Sequence, residues 1–460
     1  MGGSSIQLFA IGPQDLFLTG NPQITFFKSV FRRHTNFSKE LQQIIFSGES
    51  PSFGSNDVIA KIDKQGDLLS NIYLEATVTG TTDKKGAYTI NHFGNSLIKK
   101  VDFDIGKKII DTQYSQWLQI YDELTENVSE NKQATSGVKG GKYSNLNFTT
   151  DLDSTEININ NRINGDCPLV FGGTNKNVII NSDENINFDV GTYSKKIIIP
   201  LHFWFTKSPG LYLPICALYN HNIELKFTFE DKYKLIGNST NISNLNVKFK
   251  LYGEFITLDT EEKKKFKESN HEYIIEQVQL NNNSPYTTTS IVETGNELAK
   301  VNYELNFSHP IKYFVWVIVN EGSPTKSLSN NSGQGPSYFV SLCSNSLYGN
   351  DGQDGMVEIL FDGVEREQEM PMMYYTRVYP KNHCNNTPDL DRIGFYSFAL
   401  NPFNLEPSGT CNFSKINDRN IKMVFANNNT SNITNKPLYF FAVNYNILNI
   451  ENGMAGLRYA

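Results

Sequence analysis

The sequence predicts an all-β protein made of two similar sandwiches in tandem, and three observations carry that reading. Runs in which apolar and polar residues alternate with period two recur along the 460 residues and outnumber helical patterns. A short charged helix near the middle separates two halves. Each half then repeats one plan: a Gly turn, an aromatic strand, a Pro/Gly break and a long closing aromatic strand. The chain is too long for one ordinary sandwich and ample for two.

In the first half, residues 101–105 alternate cleanly and run into Gly106, a turn former. Residues 113–127 predict a helix, with Trp117, Ile120, Tyr121 and Leu124 on one stripe. Residues 197–205 are apolar at almost every position, as a strand buried between two layers would be. Residues 223–229 and 247–252 alternate again. The central helix is expected over about residues 260–269. Asp259 can cap it, Glu261 and Glu262 suit its positive end, and Lys263, Lys264, Lys265 and Lys267 suit the other.

The second half offers strands over residues 311–319, 357–361 and 438–448, all rich in β-branched and aromatic side chains that fit a pleated surface. Asp362-Gly363 supplies the positive φ of a tight hairpin. Phe395-Tyr396-Ser397-Phe398 before Pro407-Ser408-Gly409 mirrors Phe203-Trp204-Phe205 before Pro209-Gly210. Two polar excursions, 127–193 and 321–355, interrupt the rhythm. Loops of that length in a compact domain point to function or disorder.

Composition narrows the function classes. Aromatics make up 12% of the chain, enough for sizeable cores, while charged residues make up only 19% and leave surface for burial between subunits. A net charge of −7 argues against a surface that coats itself in nucleic acid, because phosphate attraction needs clustered Lys and Arg. The five cysteines (Cys167, Cys216, Cys343, Cys384, Cys411) are widely spaced with no CxxC pair. Free thiols in a reducing compartment are expected, with neither zinc nor a disulfide framework. The first residues lack the basic start of a secretory signal, and no run approaches the roughly 18 apolar residues of a spanning helix. Sequons such as Asn36, Asn147, Asn241, Asn306 and Asn412 are unremarkable in an Asn-rich chain.

Motifs that hint at chemistry each have a plainer explanation. Residues 137–142 (Gly137-Val138-Lys139-Gly140-Gly141-Lys142) are one residue short of a phosphate loop, and Tyr143 stands where Ser or Thr would hold magnesium. Residues 350–355 are rich in Asp and Gly but lack the spaced ligands and closing Glu of a calcium loop. Glu365, Glu367 and Glu369 alternate as a solvated strand face does, and nothing places a second acid opposite them. His383 beside Cys384 is the only close His/Cys neighbour pair. No catalytic, cofactor or metal residue is expected, and the chain is not expected to be an enzyme.

Motifs spread over almost the whole chain resemble the major capsid proteins of nucleocytoplasmic large DNA viruses, of the algal and amoebal giant-virus type. The opening tract of residues 12–37 is one, including Gly12-Pro13-Gln14-Asp15-Leu16 and Phe26-Phe27-Lys28-Ser29-Val30-Phe31-Arg32-Arg33-His34-Thr35-Asn36-Phe37. Pro200-Leu201-His202-Phe203-Trp204-Phe205 with Pro209-Gly210-Leu211-Tyr212-Leu213-Pro214 is similar to the family's aromatic segment. Residues 259–266 with 271–277 look like its inter-domain helix and the start of its second domain. Tyr396-Ser397-Phe398-Ala399-Leu400-Asn401-Pro402 with Pro407-Ser408-Gly409-Thr410 resembles its C-terminal signature, and Ala442-Val443-Asn444-Tyr445-Asn446 with Gly453-Met454-Ala455-Gly456-Leu457 matches its end.

The resemblance implies two consecutive eight-stranded jelly rolls: residues 1–21 as an N-terminal arm, 22–258 as the first roll, 259–270 as the linker helix and 271–460 as the second. It implies a homotrimer whose six wedges make a near-hexagonal capsomer, tiling an icosahedral virion shell with neighbouring capsomers and minor capsid or cement proteins. Assembly in the host cytoplasm and no direct contact with the genome are expected. Arg32, Arg33 and His34 add a cationic spot to the arm, suited to an internal viral membrane or another shell protein. A transient assembly scaffold of the same fold, or a carbohydrate-binding sandwich protein, are the alternatives.

Overall fold

The alternating segments form strands because each has one face to bury and one to leave in water. The computed structural model describes residues 19–29, 31–48, 50–82, 88–89, 93–125, 148–149, 191–237, 242–283, 285–287, 301–319, 355–385, 392–424 and 436–459, with Gly12, Phe339 and Leu342. Most of both polar excursions, including residues 137–142 and 350–354, lies outside these residues. The chain divides into two units, Met1–Phe37 and Ser38–Ala460. The tract from Pro22 to Phe37 falls in the first of these units.

The first half contributes β1 (Phe37–Ile44), β2 (Val58–Ile62), β3 (Leu68–Thr82), β4 (Ile98–Ile105), β5 (Lys108–Tyr114), helix α1 (Ser115–Thr125), β6 (Gly191–Pro200), β7 (Ile223–Phe229) and β8 (Ile242–Leu258). Helix α2 (Thr260–Glu268) follows. The second half contributes β9 (His271–Leu280), β10 (Val301–Glu304), β11 (Pro310–Ile318), β12 (Met356–Phe361), β13 (Val364–Pro371), β14 (Gly394–Ser397), β15 (Arg419–Val424) and β16 (Pro437–Glu451), with β17 (Met454–Leu457) folded back on β16.

These strands sort into two pairs of antiparallel sheets. The first half pairs them as β1-β8-β3-β6 and β2-β7-β4-β5. The second pairs them as β9-β16-β11-β14 and β10-β15-β12-β13. In both halves the first strand sits beside the eighth, then third and sixth, while the second sits beside the seventh, then fourth and fifth. That shared order is the double wrapping of a jelly roll, so the fold is a double jelly roll.

Turn chemistry sets the hairpins. Ile105 pairs with Lys108 across Gly106 and Lys107, Phe361 with Val364 across Asp362-Gly363, and Glu451 with Met454 across Asn452-Gly453. Both central residues have positive φ in every case, the backbone of a type I′ turn, whose twist matches that of the flanking strands.

Each roll has a core, and the first is completed by Ile275, Leu448 and Ile450 from the second half. Phe103, Phe203, Phe205, Phe227 and Leu251 lie in the first, and Phe314, Trp316, Tyr396 and Phe440 in the second. One expectation is corrected here. The apolar run 197–205 is strand only as far as Pro200; Leu201-His202-Phe203 is irregular and Trp204–Thr206 is a single 3₁₀ turn. Pro200 has no N–H to continue the ladder, and aromatic burial alone does not distinguish strand from packed coil.

Candidate functional site: the seam between the rolls and the exposed arm

The two rolls meet along a built seam. Strand β5 is an edge of one first-roll sheet, and β9 is an edge of a second-roll sheet. Side chains bridge these edges. Val278 N–H donates to Asp111 Oδ1 at 2.9 Å, and Gln277 Nε2 donates to the Ile110 carbonyl. Backbone groups at both edges are thereby satisfied. Asp111 is buried and makes no ion pair among the described residues. Burial pushes its carboxyl up to about 7, against the smaller opposing pull of the Val278 N–H, the Gln113 amide and the Lys207 charge.

Beside it runs an ionic strut. Glu276 on β9 takes Lys207 from the first roll on one carboxylate oxygen and Lys312 from β11 on the other, the latter at 2.5 Å. Lys312 also donates to the Asn404 carbonyl at 3.0 Å. Burial would push Glu276 up, but the two ammonium groups win and hold it below the usual carboxylate range. Lys312, only 1% exposed, is pushed down by burial and by the like charge of Lys207, with Glu276 opposing. The ammonium of Lys207 also lies 5.1 Å from the centre of the Tyr121 ring.

Helix α1 supplies the apolar part of the seam. Its stripe of Trp117, Ile120 and Leu124, at spacings of three and four, packs on second-roll residues Tyr313, Val315, Val317, Phe441 and Val443. The Trp117 ring stacks on Tyr313 with centroids 6.4 Å apart. The outer face of the β16-β11 pair is thus covered by a helix from the other half of the chain, which explains why β11 is buried on both faces.

The linker is fixed rather than slack. Asp259 accepts from Thr260 N–H at 2.8 Å and caps α2, as expected. Lys263 reaches the buried Asp67 at 2.7 Å, and Asp67 also accepts the Leu258 N–H at 2.9 Å. Cys216 lies beside this pair, and burial raises its thiol to about 11, so it stays protonated and unreactive.

The residues with chemical overtones in the sequence do not converge. Glu365 and Glu367 lie on the exposed edge strand β13, opposite Leu360 and Ile359 rather than a second acid. The His383 ring stacks on Tyr379 at 4.5 Å, and burial raises the neighbouring Cys384 thiol far above its ordinary value. Cys216, Cys384 and Cys411 are free thiols, while Cys167 and Cys343 lie outside the described residues. Among the described residues no cluster of His, Cys, Asp or Glu has the makings of a metal site, and no helix is long and apolar enough to cross a membrane. Asn412, in a sequon, spends its side-chain oxygen on the Ser414 N–H at 3.1 Å.

In the N-terminal unit Phe26, Phe27 and Phe31 are 90%, 98% and 90% exposed. Large aromatics left in water at that level mark an interaction segment.

Comparison with known proteins assigns the family. A profile described as "Major capsid protein N-terminus" matches residues 25–259, and one described as "Large eukaryotic DNA virus major capsid protein" matches residues 262–456. The chain belongs to the major capsid protein family of large eukaryotic DNA viruses. It is 33% identical to the major capsid protein of Pyramimonas orientalis virus and 30% identical to that of Paramecium bursaria Chlorella virus 1, with the whole of each chain covered. Among solved structures it is similar to a quasi-atomic model of the PBCV-1 virus capsid at a TM-score of 0.69 and 26% identity, covering 95% of this chain and 100% of that one. The Faustovirus major capsid protein, at 13% identity and a TM-score of 0.56, shares the fold. These relatives are structural coat proteins, and the chain is a structural protein rather than an enzyme. Sequence reasoning missed the seam of this capsid protein. One signal was present: Lys312 is the only charged residue in the otherwise apolar run Pro310–Ile318.

Proposed function

We propose that three copies of this capsid protein associate into a pseudo-hexagonal capsomer that tiles an icosahedral shell. The observation that carries this reading is the repeated strand order in two rolls locked edge to edge. A rigid pair of like wedges, taken three times, gives six similar corners from closed three-fold symmetry. In this reading residues 22–258 and 271–460 are the two rolls, 259–270 is the linker and the N-terminal segment is the arm. Neighbouring capsomers and minor capsid proteins are its partners, and assembly takes place in the host cytoplasm. The exposed Phe26, Phe27 and Phe31 with Arg32 and Arg33 suit a partner beneath the tile, either a minor protein or an anionic internal membrane.

Light scattering on gently purified protein tests the trimer. The expected species has three times the chain mass and holds together through interfaces on the order of 2,000–5,000 Å². A stable soluble monomer at micromolar concentration overturns the proposal. A scarce band in purified virions would favour the scaffold reading over the coat.

A further inference from the structure

Protonation treats the histidines of this protein unequally. His34 lies against the Thr35 carbonyl, His202 against the Asp122 carboxylate, His271 against the Phe266 carbonyl and His383 against the Leu400 carbonyl. A ring nitrogen can donate to each of those oxygens, so a charged ring keeps its bond. His221 differs. Its Nδ1 lies 3.1 Å from the backbone nitrogen of Ala455. A backbone N–H only donates, so this Nδ1 must present its lone pair and the ring proton must sit on Nε2.

The ring is held where three segments meet. A side chain at Gly106 would lie 2.7 Å from Nδ1, so only glycine lets the β4–β5 turn pass there. Gly106 N–H donates to the Asn222 carbonyl at 2.9 Å, tying that turn to the loop that carries His221. From the second roll comes the β16–β17 turn. Asn220 N–H donates to the Gly453 carbonyl at 3.0 Å, and Asn220 Nδ2 donates to the Asn452 carbonyl at 2.9 Å. The Ala455 bond to His221 completes this contact between the rolls.

We propose that His221 is an acid-sensitive latch between the two rolls: a proton on Nδ1 breaks its bond to Ala455 and loosens the β16–β17 hairpin at that point, while the Asn220 bonds to Asn452 and Gly453 keep its tip on the first roll. The imidazolium then points an N–H at another N–H, and the Ala455 donor is left without its acceptor. The charged and titratable groups on the packed segments are Asp104, Lys107 and Lys108 on the β4–β5 hairpin, Glu451 and Arg458 around β16–β17, and Tyr219 on the loop itself. Lys64 and Lys267 lie against Tyr219, the first at 2.9 Å from its carbonyl and the second 5.6 Å above its ring. Among the described residues no carboxylate pairs with His221 to compensate the new charge. At the seam under α1, His202 beside Tyr121 and Asp122, and His383 beside Tyr379, keep an oxygen partner when charged, so the loss of a bond is confined to His221. Asp111 responds to pH in the opposite sense, so the test reads one amide rather than global stability.

Hydrogen exchange on the full-length protein provides that test, following a peptide that contains the Ala455 amide at about pH 5 and about pH 8, on either side of the range in which histidine charges. After correction for intrinsic rates, protection at Ala455 should fall about tenfold or more at the lower pH, the scale of one lost hydrogen bond. The Leu201 amide, held by the Ile72 carbonyl at 3.1 Å with no titratable partner, should keep its protection. In His221→Asn the side-chain oxygen accepts at both pH values, and the difference should vanish. His221→Gln serves the same purpose if the shorter side chain does not fold. Equal Ala455 protection of the unsubstituted protein at both pH values overturns the latch, and so does an unchanged acid response in either variant.

Discussion

Asp111 faces the second roll with no cation of its own, and its pH response follows from that. Its folded-state value of about 7 lies above the ordinary 3.8, so between those values the folded protein holds a proton that the unfolded chain has released. Stability from this group therefore falls as pH rises from about 4 to 7 and is level above that. Asp111→Asn keeps an oxygen for the Val278 N–H and cannot ionise. It should stabilise the protein at pH 8 by up to about 4 kcal/mol, and at pH 4 by much less. Urea unfolding at both pH values measures this, and an identical pH dependence in the two proteins would remove Asp111 as its source. Glu276 illustrates the reverse arrangement, a buried carboxylate kept charged by two ammonium groups. Apart from the lone charge of Lys312 in an apolar run, none of these seam residues was legible in the sequence. Lys207 and Glu276 are 69 residues apart, and Gln277 and Ile110 are 167 apart, so no local pattern joins them.

Helix α1 and strand β11 show what local pattern does and does not contain. The stripe Trp117, Ile120, Leu124 announced a helix with one apolar face, and the residues found helical, Ser115–Thr125, fall within the expected 113–127. What that face covers was invisible, because its partners are 188 or more residues further along the chain. Strands with one wet face, such as β7, were legible from alternation, while the run 197–205 was misread because burial on all sides erases periodicity. The packing makes a sharp prediction for the helix. Trp117→Ala removes a buried indole from between Tyr313 and Phe441 and should cost about 3–5 kcal/mol. The loss belongs to both rolls at once. Calorimetry should show one transition moving down in temperature, whereas a shift confined to an early, separate transition would mean that α1 stabilises the first roll alone.

At the scale of the whole molecule, sequence symmetry suggested two like sandwiches, and the strand orders show that each is complete in its own sheets. Completeness in sheets is not independence. Residues 38–460 form one unit, because α1, Lys207, Asp111 and the loop at His221 all reach across the seam. Cutting the chain within α2 tests how far this goes. A fragment beginning at His271 would leave Tyr313, Val315, Val317, Phe441 and Val443 without their helical cover, and Glu276 with only one of its two lysines. A contiguous aromatic and β-branched face of that kind drives association. The second roll expressed alone should therefore aggregate or fail to fold. The two halves expressed together should recover a soluble complex, because the seam needs no covalent link to form. If the second roll alone is soluble and monomeric, with a thermal transition as high as the intact chain, the seam serves orientation and not stability. The angle between the two rolls would then be free to vary with the assembly around it.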